Sequence, residues 1–217
     1  MEWDLLRGLK DEEVDQVLAT GRRRRFARRE VVWHEGDRAE VIHLIRSGRI
    51  AIRSMTSIGD VATVGVVGSG QAAGLIAVHG SDPYHTTTAV ALEPTETVAI
   101  RVDEMRVIRQ RFPTVDDALV RFIADRVLDV VTQLVDALFV SADHRVLRRL
   151  VALCDLYRRE DPEIVVPLTQ EDLAGLAGVT RPTVNRVLKE EERRGTLRLS
   201  RGSITVTDLE RVAGRAN

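Results

Sequence analysis

The chain has 217 residues, 44% of them apolar and 30% charged, and a formal net charge of −1. This is a globular composition with enough apolar material for a core, long enough for two modest domains, and without a global basic field. The single cysteine, Cys154 in LVALCDL, excludes intramolecular disulfides, Cys-based zinc sites and cysteine-held iron–sulfur clusters, and reads as a small core residue.

The N-terminal stretch MEWDLLRGLKDEE has no apolar h-region and carries early acids, so it does not read as a secretory signal. No uninterrupted apolar run reaches membrane-spanning length. A cytoplasmic protein without a membrane partner is expected. Helical spacing of Trp3, Leu6, Leu9, Val14, Val17 and Leu18 predicts short helices over 3–19. The arginine run 22–25 continues into FARREV and reads as a solvated strand edge. From 22 to 102, short alternating runs rich in Val, Ile and Thr are broken by EGD, SGR, SIGD and GSG turns, which predicts a sandwich or barrel-like β-unit. Within it, VIHLIRSGRIAI reads as two strands around Gly48.

Pro113 opens a new regime. From Thr114 to about Val140 there is no Gly or Pro, and apolar residues recur along a wide stripe. A helix of this length spans roughly 40 Å. It could be buried in its own domain or pair with its twin across a two-fold axis. A small β-unit cannot cover so long a stripe, which favours a homodimer with Leu119, Phe122, Ile123, Val127, Val130, Leu134 and Leu138 at the interface. The expected division is a β-rich unit over 1–112, the long helix over 113–140 and a third region over 141–217. That last region holds 14 Lys/Arg against 12 Asp/Glu, slightly basic beside 18 against 21 for residues 1–140.

LTQEDLAGLAGVTRPTVNRVLKEEERRG, 168–195, carries the most information. Thr169 and Asp172 have capping-box spacing, with Asp in place of the usual Glu or Gln. Leu173, Ala174, Leu176 and Ala177 supply a short apolar face. Gly178 falls where a helix end needs a left-handed residue, and Val179 plugs the turn. Thr180 can cap the next helix, and Pro182 is tolerated in its first turn. Val184, Val187 and Leu188 form the second buried face, and Gly195 ends the helix. Two capped helices around a glycine turn match the DNA-reading bihelical unit. Arg186, Lys189 and Arg193 point away from the buried face, Arg181 projects from the helix start, and Asn185 flanks it. Arginine can fork onto guanine and asparagine can pair with adenine. The helix N-terminus with Thr169, Gln170, Thr180 and Thr183 suits phosphate. LRL and ITV then read as a two-stranded wing with Arg201 at its tip, and Thr207 or Asp208 caps a last helix.

A β-unit, a long helix and a winged helix-turn-helix, in that order, resemble the cyclic-AMP receptor / fumarate–nitrate regulator family of bacterial transcription factors. The resemblance covers nearly the whole chain and is strongest in EVVWHEGDRAEVIHLIRSGRIAI and in the helix-turn-helix with its wing. It implies an α+β protein: an N-terminal β-roll (a cyclic-nucleotide-binding-like jelly roll), a dimerisation helix and a C-terminal winged helix-turn-helix. It further implies binding of double-stranded DNA at a near-palindromic site, and contact with RNA polymerase if the protein activates. Three residues near the start of the family's recognition helix read bases; they match Arg181, Pro182 and Arg186. Pro182 departs from the family's acidic residue, so a carboxylate that would accept from cytosine is missing. The half-site is expected to differ at that base pair.

In nucleotide-binding members of the family a Gly-Glu pair holds the ribose and an Arg-Ser/Thr pair holds the cyclic phosphate. The matching positions are Gly74-Leu75, followed by Ile76, and His85-Thr86, followed by Thr87. The polar pair on the long helix that meets the adenine falls at Val130 and Val131. One hydroxyl on Thr86 does not replace a bidentate guanidinium. Cyclic AMP is therefore an unexpected ligand and no cofactor is expected. A different, more apolar small effector, a pocket filled by its own side chains, and control by abundance alone all stay open. The family also includes haem sensors, but His85 would be a lone histidine here, and a structural role suits it better. No Walker loop, HExxH, GxSxG or Rossmann fingerprint supports an enzyme. A cyclic-nucleotide- or small-ligand-binding regulatory module that does not act through DNA is the other competing function; it would leave the winged helix unexplained.

Overall fold

A computed structural model describes residues 2–55, 61–75, 84–157 and 162–216. By its internal contacts the chain forms two compact units, one of residues 1–54 and 65–130, the other of 55–64 and 131–217.

In the first unit a 3-10 turn (Asp4–Leu6) and α1 (Asp11–Thr20) precede the strands. These are β1 (Arg22–Phe26), β2 (Val31–Trp33), β3 (Val41–Ser47), β4 (Ile50–Met55), β5 (Val61–Val67), β6 (Ala72–Ala73), β7 (Thr88–Ala91) and β8 (Thr95–Arg101). They form two four-stranded sheets, ordered β1-β8-β3-β6 and β2-β7-β4-β5. The family-like roll is thus present. Alternation along β3 and β8 separates two cores. Ile42, Leu44, Val98 and Ile100 face Trp3, Leu5, Met105, Val115 and Leu119 on the helix-covered side. Trp33, Ile45, Ile50, Ala73 and Ala89 meet between the two sheets. The β3–β4 turn depends on Gly48, whose φ is +84°; a Cβ there would lie 2.6 Å from the Pro94 carbonyl oxygen.

α2 (Val102–Arg111) and the 26-residue α3 (Thr114–Phe139) follow. α3 has no Gly or Pro to interrupt it and spans about 39 Å. Its first turns belong to the helix-covered core through Val115, Ala118 and Leu119, with Phe122 packed against it. Beyond them Ile123, Val127, Val130, Val131, Leu134 and Leu138 are exposed. Among the described residues no helix is long and apolar enough to cross a membrane.

The second unit holds α4 (Ala142–Tyr157), β9 (Ile164–Val166), α5 (Gln170–Ala177), α6 (Arg181–Arg193), β10 (Leu197–Ser200), β11 (Ser203–Val206) and α7 (Leu209–Ala216). β10 and β11 form the expected wing, with Asp208 accepting from the Arg211 amide at the start of α7. β9, absent from the sequence reading, adds a third strand beside β11, with Val166 opposite Ile204. Its three residues alternate buried, exposed, buried, too short a run to separate from a loop without its partner. Cys154 is fully buried in α4, as a small core residue should be.

Candidate nucleic-acid interface and effector pocket

Local chemistry builds the bihelical unit. The Thr169 hydroxyl accepts from the Asp172 amide at 3.1 Å, while the Asp172 carboxylate accepts from the Thr169 amide at 3.1 Å. Two orphan donors at the start of α5 are thereby satisfied reciprocally. Gly178, φ +60°, ends α5 in the left-handed region that non-glycine residues avoid. α6 then starts at Arg181 with Thr180 as N-cap and Pro182 in its first turn. Thr180 occupies the capping position, but its hydroxyl pairs with the Thr183 hydroxyl at 3.0 Å and makes no cap hydrogen bond, which corrects that detail of the sequence reading.

Val184, Val187 and Leu188 are buried, while Arg181, Asn185, Arg186, Lys189 and Arg193 are exposed. The exposed groups are not all idle. Asn185 Nδ2 donates to Gln170 Oε1 at 3.0 Å, joining the two helices of the unit. Lys189 pairs with Glu192 at 2.6 Å and Arg193 pairs with Glu190. Arg181 has no ion pair among the described residues, and Arg201 stands exposed at the turn of the wing.

Three features of this unit had no signal in the sequence. Arg186 is held by both carboxylate oxygens of Asp143, in the first turn of α4, at 2.9 and 2.5 Å. The Arg186 guanidinium keeps the Asp143 carboxyl below its usual range, chiefly through that hydrogen bond. The two residues lie 43 positions apart, beyond the reach of any local spacing rule. Next, Arg145 donates to the carbonyls of Val140 at 2.9 Å, Ala177 at 3.1 Å and Gly178 at 3.2 Å. It therefore satisfies orphan acceptors at the end of α5 and just past the end of α3. Last, Glu191, 2% exposed on the inner face of α6, is clamped by Arg215 and by the Thr196 hydroxyl at 2.7 Å. Burial pushes its carboxyl up, but these hydrogen bonds outweigh burial and hold it below the usual range.

The positions matched to a nucleotide pocket are differently arranged. Leu75 is 4% exposed and belongs to the helix-side core with Leu44 and Leu119. His85 is buried, its ring stacked on Trp33 with centroids 4.4 Å apart and planes at 14°. Its amide donates to the Asp37 carbonyl and its carbonyl accepts from the Gly36 amide. Burial lowers its pKa against the opposing pull of Asp37, so the ring is neutral near pH 7. Gly74 has φ +84°, and a Cβ there would sit 3.7 Å from the His85 ring. Thr86 is exposed, and the Thr87 carbonyl accepts from Trp33 Nε1 at 2.8 Å. Val130 and Val131 are exposed on α3, and Ile76 lies outside the described residues. No cluster of three or more His, Cys, Asp or Glu able to hold a metal occurs among the described residues.

Comparison with known proteins follows the same division. Residues 23–112 match the cyclic nucleotide-binding domain family and residues 144–214 match the Crp-like helix-turn-helix domain family. The chain is 28% identical over 212 residues to the cyclic AMP receptor protein of Thermus thermophilus, covering 96% of each. It is 27% identical over 194 residues to the CRP-like cAMP-activated global transcriptional regulator of Mycobacterium tuberculosis, covering 88% of this chain and 86% of the relative. Among solved structures, the c-di-GMP responsive global regulator CLP of Xanthomonas campestris superposes with a TM-score of 0.78 at 20% identity, covering 91% of this chain and 99% of that one.

Proposed function

Because the chain belongs to the cyclic-AMP receptor / fumarate–nitrate family of transcription regulators, we propose that it is a cytoplasmic homodimer that binds a near-palindromic DNA site and acts by binding, not catalysis. The observation that carries this reading is the capped bihelical unit, which presents Arg181, Arg186 and Lys189 on the exposed side of α6 beside a wing. Gln170, Thr180 and Thr183 supply phosphate donors, Asn185 a polar flank, and Arg201 a cation for the neighbouring backbone. Pro182 removes one base contact. The exposed apolar row on α3 supports the dimer, and RNA polymerase is the further partner if the protein activates.

The effector site of this regulator is degenerate for cyclic nucleotides. A cyclic phosphate needs a paired cation when buried. His85 is neutral and stacked on Trp33, and Leu75 is packed into the core in place of a ribose-binding carboxylate.

The test is fluorescence anisotropy with DNA selected from a random pool. The unaltered protein should select a two-fold symmetric site, bind it with strong salt dependence, and lose about 1–3 kcal/mol on Arg186→Ala together with specificity at one base pair. An equal loss on every sequence would make Arg186 a phosphate contact. Failure to select any site would overturn the DNA reading.

A further inference from the structure

We propose that the first unit carries a second ligand site: a cavity of about 500 Å³ between β1, β2, β3 and β8 that takes a small organic anion. Strand register builds it. Arg22 and His43 both lie opposite Ala99, so these three side chains share one face of the sheet. Arg24 and Phe26 follow on that face at two-residue steps. The alternate residues, Leu44 and Val98, belong to the helix-side core. Val32 and Trp33 face the cavity from the other sheet, and Arg38, Val41 and Arg101 contribute to its wall.

The lining suits an apolar body bearing an acid group. Phe26, Val32, Trp33 and Val41 are apolar. Four arginines, Arg22, Arg24, Arg38 and Arg101, stand against three carboxylates, Asp37, Glu40 and Glu104. Those carboxylates are already engaged: Asp37 accepts from the His34 amide at 2.7 Å, Glu104 from the Arg101 amide at 3.0 Å, and Glu40 lies 3.8 Å from Arg38. Beyond the strand pairing of their backbones, the Arg22 and Arg24 side chains make no hydrogen bond or ion pair among the described residues. His43, 7% exposed, commits Nδ1 to the Thr97 hydroxyl at 3.0 Å, and its Nε2 has no partner among the described residues. Stacking of His85 on Trp33, with His43 behind at 5.8 Å, fixes the wall in advance, so little ordering is left for a ligand to impose. The volume lies in the range of small-molecule sites, and an arginine fork recognises carboxylate or phosphate in two-pronged fashion. Of the positions matched to the cyclic-nucleotide pocket, only His85 touches this cavity; Gly74, Leu75, Thr86 and Val130 do not. The proposal is therefore independent of whether cyclic nucleotides bind.

The two tryptophans are Trp3 and Trp33, so Trp3→Phe leaves Trp33 as the only one in the chain. Its emission is followed in the full chain on titration with benzoate, phenyl phosphate and benzamide. A saturable change with either anion, at least about tenfold tighter than with neutral benzamide, is expected; which anion wins identifies the acid group. Arg22→Gln with Arg24→Gln should weaken the anion by about tenfold or more without lowering the melting temperature, since both side chains are exposed. Calorimetry on the unaltered chain and on the double variant reads the same comparison if Trp3→Phe does not fold. Absence of saturation with both anions, equal binding of benzamide, or unchanged affinity in the double variant would overturn the site.

Discussion

On the proposed function, Arg186 is held on the protein before it meets a base. Asp143 grips both of its terminal nitrogens, so a base bound there as proposed would compete with a carboxylate for the same fork. Both partners are largely exposed, which keeps the pair's contribution small. Asp143→Asn should therefore raise affinity for the selected site by about two- to fivefold, measured by anisotropy at constant salt. Unchanged or weaker binding would mean that Asp143 positions Arg186 rather than competing for it. His43 supplies a second test at this scale. Burial, with His85 and Arg24 nearby, pushes its pKa down to about 4, whereas an unfolded chain takes up the proton near 6.5. The folded state is thus penalised as pH falls through 6.5 toward 4, and not above that range. Urea denaturation should lose about 2 kcal/mol at this residue between pH 7 and pH 5. His43→Gln, which can still bond Thr97, should lose less; equal acid sensitivity would remove His43 from the account.

At the scale of elements, α3 changes role along its length. The stripe alone places Leu119 and Phe122 at a dimer interface with the rest, yet Leu119 is buried in the helix-side core and Phe122 packs against the same cluster. A wide stripe on a helix includes residues bound for different neighbours, and periodicity cannot apportion them. What remains outward is Ile123, Val127, Val130, Leu134 and Leu138, spaced by threes and fours as a helix–helix seam requires. Each such side chain gains about 1.5–3 kcal/mol when buried. A charge pair at the seam should abolish that gain: Ile123→Glu with Leu134→Glu should sediment as a monomer and bind a two-fold site at least about tenfold more weakly. A double variant that remains dimeric would move the interface elsewhere.

For the whole molecule, the sequence was most legible where one local rule decides the structure. Gly178 needs a left-handed φ, Thr169 and Asp172 cap each other, and the roll strands alternate, so all of these could be placed from spacing alone. Residues whose role depends on distant partners could not: β9 exists through its pairing with β11, and Glu191, in KEEERRG, carries no local signal of its burial against Arg215. The nucleotide positions were intermediate. Substitution at Leu75 and His85 was visible, but not that one fills the core and the other stacks on Trp33. Calorimetry on the full chain should accordingly detect no micromolar binding of cyclic AMP; a micromolar or tighter isotherm would sink the degenerate-pocket reading.

The Asp143–Arg186 pair also bears on how such a regulator would search a genome. If Arg186 reads a guanine as proposed, non-cognate DNA would place none to outbid the carboxylate, so the arginine would stay folded back and one cation would be withheld from the phosphates. The protein would leave wrong sequences sooner. At the right sequence the fork would swing across, and residence time would lengthen by one strong contact. A single acid on α4 would then set dwell time on random DNA, and removing it would make the protein stickier but slower to find its target.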